Sequence, residues 1–87
     1  MEKQEIIEVA KNLNFVLDYD KFDDKEYPGD SNNLRYLRFV SNDNELDEKD
    51  LRWIWYKNDS DKDNLNRGLY IQKRLSKKRQ VLNSLKY

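Results

Sequence analysis

Ile6, Val9, Ala10 and Leu13 fall at i, i+3, i+4 and i+7 and share one face of a helix. The spacing predicts a helix beginning near Glu2, with Glu2 and Glu5 suited to its positive end and Asn12 or Asn14 suited to a left-handed stop. At Phe15 the period changes to two. Phe15, Leu17 and Tyr19 alternate with Val16, Asp18 and Asp20, the pattern of a half-buried strand. Tyr27-Pro28-Gly29-Asp30 reads as a turn, Pro fixing the first central position and Gly supplying positive φ at the second. Two more strands are expected. Leu34 to Val40 offers Leu37 and Phe39 to one face and Leu34, Tyr36 and Val40 to the other, and Leu51 to Lys57 separates Leu51, Trp53 and Trp55 from Ile54 and Tyr56.

A long last helix follows, its stripe formed by Ile71, Leu75, Lys78, Leu82 and Leu85, with Asp59, Ser60 or Asp61 as N-cap. Gly68 is expected to loosen its start, because Gly in a helix interior costs about 1 kcal/mol relative to Ala. The order is α-β-β-β-α, an α+β fold: a three-stranded antiparallel sheet with an N-terminal helix and a long C-terminal helix on one face. A helical Leu46 to Tyr56 also satisfies the spacing of Leu51, Ile54 and Trp55, but Trp-Ile-Trp-Tyr favours strand.

Eighty-seven residues make one small domain over positions 1–87, burying only about 60–65% of the surface its unfolded chain exposes. Leu, Ile, Val and Phe number 22, enough for a core that two Trp and six Tyr can enlarge. Without Cys, no disulfide or thiolate site supplements it. The acidic N-terminus and a longest apolar run of only Trp53 to Tyr56 fit neither a signal peptide nor a membrane span, so a cytoplasmic chain without membrane partners is expected.

Charge is balanced in total and segregated in position. All 17 acids lie at or before Asp63, among ten basic residues, a net of −7; positions 64–87 carry seven basic residues and no acid. Such an asymmetry points to charged partners.

The residue inventory also bears on catalysis. With no His or Cys there is no Ser-His or Cys-His nucleophile system and no imidazole or thiolate ligand. Gly29 and Gly68, far apart, cannot form a phosphate loop. Asp59, Asp61 and Asp63 match the first three ligand positions of an EF-hand, yet Asn64 stands where that loop needs Gly and Tyr70 where it needs a bidentate Glu. No catalytic residue, metal site or cofactor is therefore expected, and helix capping accounts for the Asp series.

The binding candidates are surfaces. Asp18, Asp20, Asp23, Asp24, Asp43, Glu45, Asp47 and Glu48 form acidic strings able to present negative charge to a protein site built for phosphates. Tyr19, Phe22 and Tyr27 lie among or beside them as candidate aromatic anchors, and Trp53 and Trp55 are candidates too if their face is open. If those two rings are core, Ile54 and Tyr56 inherit the open face. Lys73, Arg74, Lys77, Lys78 and Arg79 are candidate contacts to phosphate or to an acidic partner, against the simpler reading of a solvated helix flank.

Asn and Lys supply 21 residues, Thr and His are missing and Ala occurs once. This usage resembles that of AT-rich genomes, including small accessory proteins of phages and mobile elements, and covers no motif. The function expected is a non-enzymatic interaction protein that binds and modulates or inhibits a larger partner, such as a host nucleic-acid-handling protein, through an acidic surface. The alternative is a nucleic-acid-binding protein acting through the basic C-terminal helix. Oligomeric state is not specified by any of these patterns.

Overall fold

The structure, a computed structural model, describes residues 1–24, 34–43 and 51–85. The Tyr27–Asp30 turn, Tyr27 itself, Glu45, Asp47 and Glu48 lie outside the described residues. The elements are α1 (Lys3–Asn12), β1 (Phe15–Asp20), β2 (Tyr36–Ser41), β3 (Trp53–Tyr56) and α2 (Asp61–Leu85). The sheet is antiparallel with order β1-β2-β3, so the α-β-β-β-α fold is an open meander with helices on one face. Trp53–Tyr56 enters it as strand, not helix, with Leu51 and Arg52 leading into it.

Local chemistry explains the boundaries. The Glu5 carboxylate accepts the Glu2 N–H at 3.3 Å at the start of α1, and Asn14 adopts φ 66°, the left-handed residue that releases the chain into β1. Ser60 Oγ accepts the Asp63 N–H at 3.1 Å, which makes Ser60 the cap of α2.

The inner face of the sheet is apolar. Phe15, Leu37, Phe39, Trp53 and Trp55 are buried there against Ile6 and Ala10 of α1 and Leu75 of α2, with Leu51 and Phe22 closing the ends. Phe15 and Phe39 both lie 5.4 Å from Trp53, and Trp55 lies 5.8 Å from it, ring centroid to ring centroid. Trp53 is the centre of the core.

Two positions on α2 decide how the helix meets the sheet. Gly68 packs directly on Trp53, and a Cβ there would overlap the indole ring. The glycine is a close-approach site, correcting the expectation that it loosens the helix start. Asn64, fully buried, uses its amide as a substitute strand: Oδ1 accepts the Tyr56 N–H at 3.0 Å and Nδ2 donates to the Tyr56 carbonyl at 2.9 Å. The Asn64 carbonyl accepts the Trp53 Nε1–H at 3.0 Å. The two amide bonds cover the outer edge of β3 at Tyr56, whose N–H would otherwise be left without a partner and whose carbonyl would keep only the Asp59 N–H at 3.3 Å.

Two expectations on side-chain direction fail. The pairing of β1 with β2 slips by one residue between Leu17 and Tyr19, leaving Asp18 as the extra residue. Tyr19 therefore pairs with Arg38 and joins the outer face instead of following Phe15 and Leu17 inward. At the far end of α2, Leu85 is 78% exposed and does not belong to the buried stripe, which ends at half-buried Leu82. The helix, about 37 Å long at 1.5 Å per residue, outruns the sheet that it covers.

Candidate functional site

With both helices on the inner face, no described element covers the outer face of the sheet. Its residues follow from the strand period and the slip at Asp18: Val16 and Tyr19 from β1, Tyr36, Arg38 and Val40 from β2, and Ile54 and Tyr56 from β3. Three tyrosines form a row across the strands, Tyr19 to Tyr36 at 5.9 Å and Tyr36 to Tyr56 at 6.3 Å between ring centroids. A guanidinium lies over each end of the row: Arg38 is 5.2 Å from the Tyr19 centroid and Arg67, reaching from α2, is 5.1 Å from that of Tyr56. Tyr19 is 47% exposed and Val16 42%, whereas Tyr36, Val40, Ile54 and Tyr56 are half-buried.

The two guanidinium groups are held from the side. Arg38 forms a pair with the Asp18 carboxylate at 2.7 Å, and Arg67 with Asp59 at 2.7 Å while also donating to Asn64 Oδ1 at 2.6 Å. The bulged residue Asp18 thus positions the cation that flanks Tyr19.

The remaining described acids of the expected acidic surface are also largely matched within the chain. Lys3 pairs with Asp20 and, at 3.2 Å, with Asp23; Lys57 lies 3.8 Å from Asp23; Arg79 lies 3.3 Å from Asp43. Asp24 is exposed and, among the described residues, makes no ion pair. Burial pushes the Asp20 carboxyl up, but the Lys3 hydrogen bond, the Phe22 N–H and the Lys3 charge together outweigh it and hold the group below the usual carboxylate range. The hydrogen bonds to Asp20 and Asp23 in turn hold the Lys3 ammonium above its ordinary value.

The aromatic candidates divide. Trp53 and Trp55 are core residues, unavailable to a partner. Phe22 is buried at the end of β1, its N–H bonded to Asp20 Oδ1 at 3.0 Å and its ring 4.7 Å from the Lys57 ammonium, so it anchors the chain as it leaves the strand. Tyr19 alone of the described candidates is at the surface, and Tyr36, Arg38 and Arg67 were not among the candidates at all. The signal for Tyr36 and Arg38 was present in the alternation of Leu34 to Val40; Arg67, on α2, had none.

The basic candidates divide as well. Lys78 and Arg79 are half-buried on the sheet side of α2, whereas Lys73, Arg74 and Lys77 are exposed. Among the described residues no group of three or more acids converges in a way that could hold a metal ion, and no helix is long and apolar enough to cross a membrane. Asp59, the first of the EF-hand-like series, is instead the partner of Arg67.

No protein-family model, curated protein or solved structure matches the chain.

Proposed function

We propose that the chain is a non-enzymatic binding protein that docks on a larger protein through the open face of its sheet and modulates or inhibits that partner. The observation that carries this reading is the row Tyr19–Tyr36–Tyr56 with Arg38 and Arg67 over its ends. Tyr and Arg concentrate binding energy at protein interfaces, since each joins a large apolar contact to a polar tip and loses little rotamer freedom once positioned. Here the rings stand on a sheet rather than on a loop, and the guanidinium groups are held by Asp18 and Asp59, so little ordering remains to be done on binding.

The docking surface is therefore the sheet face rather than an acidic mimic of nucleic acid. Asp18, Asp20, Asp23 and Asp43 already have cations beside them, which leaves little uncompensated charge in the described acidic strings. A host nucleic-acid-handling protein remains the partner class proposed, on the accessory-protein-like composition and on the cations of α2 treated below.

Affinity capture from nuclease-treated host extract tests the proposal, comparing the native chain with Tyr19→Ser/Tyr36→Ser. A partner retained by the native chain, and lost with the double variant while far-UV circular dichroism is unchanged, supports it. Val16→Lys, at an exposed position of the same face, should lose the same partner. Retention by both folded variants, or loss of every partner on nuclease treatment, contradicts it.

A further inference from the structure

Lys73, Arg74 and Lys77 occupy one side of α2. At 3.6 residues per turn they span a sector of about 100°, roughly opposite the buried line of Asn64, Gly68 and Leu75. Tyr70, 62% exposed, and Val81, 60% exposed, lie in the same sector, and the Arg74 guanidinium sits 5.9 Å from the Tyr70 ring centroid. Among the described residues none of Lys73, Arg74 and Lys77 has an acidic partner.

Their clustering sets them apart: the other described cations without an ion pair, such as Lys11, Lys21, Arg52 and Lys62, are scattered over different parts of the chain. Lys3, Arg38, Lys57, Arg67 and Arg79 each lie beside a carboxylate. Along α2 no acid follows Asp63, which is ten residues and about 15 Å of helix before Lys73. Lys73 and Lys77 at i, i+4, and Arg74 and Lys77 at i, i+3, are like-charge pairs that disfavour the helix by a few tenths of a kcal/mol each. None of the described acids is set here, so the compensating charge is expected from outside.

We propose that this face of α2 binds the phosphate backbone of nucleic acid. Three cations within about 6 Å of helix length face a polymer that carries one charge per about 1.7 Å of duplex axis, and their neutralisation of phosphates releases condensed counterions. The face holds no side chain set to read a base edge in a particular order, so the contact is independent of sequence. Tyr70, with Arg74 beside it, adds a stacking ring that a single strand can use and a duplex cannot. The sheet face and the helix face are separate surfaces: one for protein, the other for the nucleic acid that such a protein holds.

Fluorescence anisotropy of the full chain with labelled 20-nucleotide single strands and 20-base-pair duplexes of arbitrary sequence, across a salt series, tests the proposal. The native chain should bind both probes at low salt, with log K falling linearly against log salt. Lys73→Gln/Arg74→Gln/Lys77→Gln should lower affinity at least tenfold for every sequence alike. It should also flatten the slope, by up to about 0.9 on duplex and about 0.7 on single strand for each phosphate no longer neutralised. Tyr70→Ser should weaken only the single-strand probe. Tyr19→Ser/Tyr36→Ser, which leaves the charge unchanged, should bind both probes as the native chain does, so failure of the docking proposal is distinguishable from failure of this one. Absence of binding by the native chain at 50 mM salt, an unchanged slope in the triple variant, or displacement by polyglutamate as effective per charge as by unlabelled nucleic acid would overturn the proposal, the last in favour of an acidic protein surface.

Discussion

The two faces of the sheet are built from the same kind of residue and put to opposite uses. Inward, Phe15, Phe39, Trp53 and Trp55 are buried to 2% exposure or less, and the one polar atom of Trp53 is satisfied by the Asn64 carbonyl. Outward, the rings are tyrosines, whose hydroxyls tolerate water, and the guanidinium groups of Arg38 and Arg67 lie over the ends of their row. Aromatic content in a small domain therefore identifies neither core nor interface by itself. What separates them is whether a helix arrives: α1 and α2 both pack on the inner face, and Gly68 lets α2 come close enough to seal Trp53.

That contrast is most easily broken at its centre. Trp53→Ala should destabilise the domain by about 3–5 kcal/mol in a denaturant titration, and Trp55→Ala by a similar amount, because both leave cavities in a buried cluster. Val16→Lys on the opposite face should stay within about 0.5 kcal/mol of the native chain. Equal losses on the two faces would remove the distinction.

Asn64→Leu probes the edge that the asparagine completes. Filling the site with an apolar side chain of similar size strands the Tyr56 N–H and leaves the Tyr56 carbonyl only the 3.3 Å bond from the Asp59 N–H, so a cost of about 1–3 kcal/mol is expected, together with faster amide exchange at Tyr56. Gly68→Ala separates helix propensity from packing. The alanine would favour an isolated helix by about 1 kcal/mol, but overlap with the indole of Trp53 should reverse the sign and give a net loss of about 1–2 kcal/mol. A raised Tm would show that α2 can move off the sheet without loss.

How much of this was legible in the sequence depended on whether a pattern ran unbroken. Ile6, Val9 and Ala10 keep helical spacing, and Leu37, Phe39, Trp53 and Trp55 keep strict alternation, so the elements and the two sets of facing residues could be read directly, whereas which face the helices cover stayed open until Trp53 and Trp55 were seen buried. The tyrosine row could be read only in part, since Tyr36 and Tyr56 keep the alternation and Tyr19 does not. A period of two holds only until an extra residue is inserted, and the slip at Asp18 carries Tyr19 to the other face with nothing in the local sequence to announce it. Asn64 and Gly68 were visible as a polar residue and a gap on the buried line of α2, but their roles depend on the Tyr56 backbone and the Trp53 ring, contacts between elements that no local pattern encodes. The acids looked available for the same reason. Their partners, Lys3 for Asp20, Arg38 for Asp18 and Arg79 for Asp43, lie 17 to 36 residues away in the chain.

The smallest expected effect concerns one of those pairs. The depressed Asp20 carboxyl contributes stability that is present above its unfolded value, near about pH 4, and is lost as the pH falls through the folded value. The raised Lys3 contributes stability that is present below its unfolded value, near about pH 10.4, and is lost as the pH rises through the folded value. Lys3→Met should therefore lower Tm slightly between about pH 5 and pH 9 and converge with the native chain at about pH 2. The difference should shrink in salt, since the pair is exposed enough to be screened. A gap that persists at about pH 2 would mean that Lys3 acts through packing rather than charge.

The docking surface itself is tested most directly by site-specific photo-crosslinking in nuclease-treated host extract, with the photoreactive residue placed at Tyr19 on the open sheet face or at Glu8 on the exposed side of α1. The account predicts a discrete protein adduct from Tyr19 that is absent from Glu8 and suppressed by excess native chain. No adduct from Tyr19, or equal adducts from both positions, would contradict it.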